Sequence, residues 1–176
     1  MTKRIVTKVG DIYGFVEGSG TYYLQLVAID PVAMNSDVVV VFKSKDGPGK
    51  DKQIRATVLF YLHTTVKQGV RDGLWKKLDN YPIVTDVSKL AFKLYRNQEF
   101  INTLSEIKKR DPDVAVEAAF DEPYWDVWVL GEDRFKSLEY EQGLKYVAER
   151  GSVQPAASII ARINGKITLS RSVWPQ

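Results

Sequence analysis

The side chains of this protein restrict the chemistry open to it. The chain contains no cysteine and a single histidine, His63. Thiol nucleophiles, disulfides and zinc–thiolate sites are thereby excluded. A Ser-His-Asp triad would need His63 as its base, yet no GxSxG nucleophile elbow is present. A metal site would have to join His63 to carboxylates, and no second ligand lies at helical spacing from it. At the end of an apolar run, His63 reads as a packing or surface residue. Glu117, Asp121, Glu122 and Asp126 could supply paired carboxylates for acid–base work on a sugar. The separation that matters for that chemistry is spatial, and no sequence spacing identifies it. The GSG at 18–20 lacks the GxxxxGK[ST] form of a phosphate loop and reads as a turn. No catalytic, metal-binding or cofactor-binding residue is assigned, and the expectation is a protein that is not an enzyme.

Binding chemistry is better represented. The stretch DEPYWDVW (121–128) holds three acids, a proline and three large aromatics. Carboxylates steer a basic partner, and aromatic anchors carry much of an interface's binding energy. If the stretch is a strand, Trp125, Val127 and Val129 point to one side and Asp126, Trp128 and Leu130 to the other. The first set is the natural core face, which makes Asp126 and Trp128, with Tyr124 just before them, candidates for the solvent side; the alternative is that both tryptophans are buried and only the acids meet water. Asp121, Glu122, Tyr124, Asp126 and Trp128 are therefore the candidate partner-binding residues.

Charge is segregated along the chain. Residues 111–133 carry eight Asp/Glu and no Lys/Arg, whereas residues 43–77 carry nine Lys/Arg against three Asp. The net charge of +3 does not by itself specify a nucleic-acid partner, but its distribution can make a bipolar surface. Lys43, Lys45, Lys50, Lys52, Arg55, Lys67, Arg71, Lys76 and Lys77 make a small nucleic-acid-binding β-barrel the alternative reading. Against it, no RNP1-like aromatic motif or GxxG clamp is present.

The elements that must position these residues follow from hydrophobic period and turn residues. DIYGFVE and TYYLQLVAID flank GSG and predict a hairpin over 11–29. DVVVVFK (37–43) predicts a strand buried on both faces, and IRATVLFYL (54–62) a further one. VKQGVRDG allows one short helical turn ended by Gly73. KLAFKLY (89–95) alternates as a strand. In NQEFINTLSEIKKRDP, Asn97 predicts an N-cap, and Phe100, Leu104 and Ile107 share a face. Lys108, Lys109 and Arg110 complement the helix dipole at the other end. EYEQGLKYVAER (139–150) predicts a helix with Leu144 and Val147 inward. Asn164-Gly165, between ASIIARI and KITLSRS, predicts a type I′ hairpin. The expectation is one domain over 1–176 of class α+β: a mainly antiparallel, strongly twisted sheet or open barrel with a few short helices and a C-terminal β-hairpin. The basic N-terminus lacks a following apolar h-region and no run is long enough to cross a bilayer, so a soluble, cytoplasmic protein without a membrane partner is expected.

Two segments carry a resemblance. KVGDIYGFVEGSGTYYLQLVAID (8–30) has a Gly-Asp-Ile-aromatic start, and VKQGVRDGLWKKLDNYPI (66–83) has Gly73-Leu74-Trp75 leading to Tyr81-Pro82-Ile83. Over roughly residues 8–90 the chain resembles the Imm26 family of bacterial immunity proteins, associated with polymorphic and contact-dependent toxin systems. The resemblance implies a cytoplasmic protein that binds and neutralises one cognate toxin without cofactor or catalysis. Gly10, Asp11, Tyr13, Gly73 and Trp75 would then serve as scaffold. A nuclease is one toxin class that fits, because its basic phosphate-binding cleft can be filled by carboxylates. Residues 91–176, including DEPYWDVW, lie beyond the resemblance.

Overall fold

The structure is a computed structural model that describes residues 4–31, 33, 35–44, 47, 56–83 and 86–165. Period-two alternation builds its larger sheet. Strands β1 (Asp11–Glu17), β2 (Gly20–Asp30), β3 (Ser36–Lys43), β4 (Thr57–Thr64) and β5 (Lys76–Asn80) run antiparallel in the order β4-β3-β2-β1-β5. The expected hairpin forms with Gly18 at φ 55°, a conformation that costs glycine little. Along β3, Val38, Val40 and Phe42 face one side and Val39 and Val41 the other, and all five are buried. One face of the sheet, with Tyr13, Phe15, Leu24, Leu26 and Leu62, packs under Trp75 and two helices, α1 (Val66–Arg71) and α4 (Ala156–Ile163).

Between them in sequence come α2 (Gln98–Arg110) and α3 (Tyr140–Lys145), together with a second sheet. Strands β6 (Ala91–Arg96), β7 (Tyr124–Val129), β8 (Lys136–Glu139) and β9 (Glu149–Arg150) take the order β8-β7-β6-β9. Among the described strands of this sheet only the β6–β9 pairing is parallel. Phe92, Trp128 and Leu130 join Ile12, Val38, Val40 and Phe42 in a cluster shared by the two sheets. On the far side of the smaller sheet, Trp125, Val127 and Leu138 pack against Leu144 and Tyr146 at α3 and its C-terminal end. The class is α+β with mostly antiparallel pairing, as expected, and the strands form two packed sheets that do not close into a barrel.

Two local expectations are corrected. ASIIARI is the helix α4, not a hairpin strand. Ala156, Ile159, Ile160 and Ile163 recur at i, i+3, i+4 and i+7 and all pack on the larger sheet, so a helical period overrides β propensity. Asn164-Gly165 ends that helix, with Gly165 at φ 68°, a role the pair serves as well as it serves a hairpin turn. KITLSRS lies outside the described residues. The helix expected over 139–150 is confined to α3, because Glu139 pairs in β8 and Glu149 in β9. Val147 is consequently 79% exposed on the connection that returns the chain to β6.

α2 forms as expected, with Asn97 Oδ1 accepting the Phe100 N–H at 2.9 Å. Among its residues only Ile101 is fully buried. Among the described residues no helix is long and apolar enough to cross a membrane.

Candidate functional site

The structure divides the five candidate partner-binding residues. Tyr124, Asp126 and Trp128 are buried and cannot reach a partner. Strand alternation along β7 is as expected, but both of its faces are covered, one by the larger sheet and the other by α3. Trp128 is 1% exposed and its Nε1 donates to Asp30 Oδ2 at 2.7 Å. Asp126 accepts from Arg96 Nε at 2.7 Å and from the Ser137 hydroxyl at 2.7 Å. The Tyr124 hydroxyl accepts the Ala119 N–H at 3.3 Å, and its ring meets Phe120 edge-on. These three residues build the scaffold. Asp121 and Glu122, just before β7, are exposed.

The single histidine has company that sequence spacing could not show. Ser36 Oγ lies 2.9 Å from His63 Nδ1, and Asp30 Oδ2 lies 3.5 Å from His63 Nε2. Nucleophile, base and acid types therefore meet, but His63 and Asp30 are wholly buried, Ser36 nearly so, and the ring is wedged against Phe92 and Trp128. The trio is sealed between the sheets, where no substrate reaches it. Burial favours the neutral imidazole and, against the opposing pull of Asp30, lowers the His63 pKa to about 4. Asp11 is likewise structural: burial raises its pKa, but Lys77 at 2.7 Å, Asn80 and the Lys8 N–H outweigh that and hold it below the usual carboxylate value.

Accessible chemistry collects where β7 and β8 pair. Tyr124 stands opposite Glu139 in that ladder, so the residues preceding β7 meet those that follow β8. Phe120, Asp121, Glu122 and Pro123 form one wall of a cleft of about 450 Å³, and Glu139, Tyr140 and Glu141 form the other. Among the described residues, four carboxylates line it without a single Lys, Arg or His. None of the four has a hydrogen-bond or ion-pair partner among the described residues. Tyr140 is 41% exposed, with its ring held against Tyr95.

The core residues of the smaller sheet set the position of this cleft. Gly143 of α3 lies so close to the Trp125 indole that a β-carbon there would overlap the ring. Lys93, 1% exposed, donates through Nζ to the carbonyls of Gly143 and Tyr146 at 3.1 and 2.9 Å, with Nζ above the Trp125 ring. Burial pushes its pKa down, and the two carbonyls receive the ammonium at the C-terminal end of the helix. α3 is thus clamped to β7, and Tyr140 and Glu141 with it.

Glu139, Glu141, Phe120 and Tyr140 escaped the sequence reading. The readable signal was a β7–β8 hairpin over 124–139, which would have placed EYE (139–141) beside DEP (121–123). Of the basic stretch, Lys45, Lys50, Lys52 and Arg55 lie outside the described residues. Lys43, Lys67, Arg71 and Lys76 are exposed, and Lys77 is bound to Asp11. The chain matches no family model, and no curated protein or solved structure is significantly similar to it.

Proposed function

We propose that this protein binds and neutralises a cognate bacterial toxin, presenting the cleft of Asp121, Glu122, Glu139 and Glu141 to a basic site on that toxin. The observation that supports this reading is the set of four unpaired carboxylates converging on one concavity beside Phe120 and Tyr140. Elsewhere in the fold Asp11, Asp86, Glu106 and Asp126 are each engaged by a cation. A cationic side chain entering this cleft therefore breaks no existing ion pair, and the half-exposed Tyr140 offers an aromatic face for a cation–π contact. The resemblance over residues 8–90 to immunity proteins supports the neutralising role. A basic nuclease cleft would be one matching surface, with the carboxylates standing in for phosphates.

The test is protection of cells that express the toxin encoded beside this chain. The wild-type protein is expected to restore growth, and a variant with Asp121, Glu122, Glu139 and Glu141 all changed to Lys is expected to fail while folding normally. Full protection by that variant sinks the assignment of the cleft. Absence of any neighbouring toxin gene removes the neutralising role.

A further inference from the structure

The acidic cleft is not an isolated depression. Asp121 also lines a second concavity of about 540 Å³, between α2 and the irregular segment that connects α2 to β7. Its walls include Ile101, Leu104, Val116 and Ala118. α2 leaves this side open: Leu104 is only half-buried and Ser105 is exposed. Lys108 and Lys109 border the groove, but both ammonium groups are already engaged. Lys108 Nζ donates to the Val114 carbonyl at 3.1 Å and lies 3.8 Å from Glu117, and Lys109 Nζ pairs with Glu106 at 2.7 Å. Apolar wall and unpaired acid therefore adjoin across one residue, Asp121.

We propose that this double groove holds a polypeptide segment of the partner in which an apolar side chain accompanies a Lys or Arg. The cation enters the acidic cleft and the apolar side chain lies against Leu104, Val116 and Ala118. Charge complementarity selects a basic polypeptide, while the same carboxylates repel the phosphates of a nucleic acid. The inference rests on the acidic cleft being the binding site and adds to it the apolar half of the recognition. Alternation in an extended segment gives two side chains different environments without requiring a folded ligand.

Two synthetic peptides of equal length and charge separate the halves, one alternating Arg with Leu and one alternating Arg with Ser. Titrated into the full protein, the Arg–Leu peptide is expected to bind about tenfold more tightly, the gain from burying part of a leucine side chain. Amide resonances of residues 101–105 and 116–118 should shift with the Arg–Leu peptide alone. Leu104→Ser and Ser105→Gln, one removing an apolar contact and the other obstructing the groove from an exposed position without adding a charge, should each abolish the preference and leave Arg–Ser binding unchanged. Equal affinity of the two peptides for the wild-type protein, or a preference that survives both variants, overturns the apolar half and leaves the acidic cleft standing. Failure of both peptides to bind overturns the cleft itself.

Discussion

Every tryptophan brings one N–H donor into the core it enters, and for Trp128 that donor is used inside the protein. Its bond to Asp30 ties β7 to the end of β2, so the residue that alternation placed toward solvent instead joins the two sheets. Trp128→Phe keeps an aromatic ring but deprives the buried carboxylate of one donor. A loss of about 2–4 kcal/mol in unfolding free energy by urea titration is expected, combining a charged hydrogen bond with lost packing. His63 stands beside it and makes the same region acid-sensitive. Its folded pKa is depressed from 6.5 to about 4, so between those values the unfolded chain binds a proton that the folded chain does not. Stability is fully present above pH 6.5 and falls as pH drops toward 4, by on the order of 3 kcal/mol. His63→Gln should remove that slope; a slope identical in both proteins would show that His63 does not cause it. The residue types were legible in the sequence here, but their partners were not, because Asp30, Ser36, His63 and Trp128 come from four strands of two sheets.

At the scale of elements, α3 shows a local preference overruled by packing. Alanine is favoured over glycine within a helix by about 1 kcal/mol, yet Gly143 is where the helix touches Trp125. Trp125 is fully buried and cannot yield, so Gly143→Ala should destabilise by about 1–3 kcal/mol in thermal or urea unfolding. A stabilised variant would show that α3 is not clamped as described. The same logic explains which elements were legible. Strands β1 to β3 and helix α2 have strong periods and clear turn or cap residues, and they form where expected. Asn164-Gly165 suits both a hairpin turn and a helix end, and only the spacing of Ala156, Ile159, Ile160 and Ile163 distinguishes the two. The boundary between β8 and α3 carries no cap, since Glu139 makes no side-chain capping bond, and the pairing with β7 decides it.

Across the whole molecule, the arrangement separates burial from recognition. The larger sheet carries apolar residues on both faces and is covered on both. The smaller sheet is a middle layer between it and α3, which is why the aromatic half of DEPYWDVW went inward while its acidic start remained in water. A surface assembled from residues 120–123 and 139–141 is held by a hairpin but made of side chains that contribute little to the core. Such a surface can change its charge at small cost to stability, because exposed carboxylates without partners hold nothing together. The most direct measurement is calorimetric titration of the protein with a candidate toxin domain taken from a neighbouring reading frame, at low and high salt. One-to-one binding that weakens with salt is expected, and conversion of Asp121, Glu122, Glu139 and Glu141 to Lys should reduce affinity on the order of a hundredfold or more. Unchanged affinity and unchanged salt dependence in that variant, with the fold intact, would contradict the acidic cleft as the binding site.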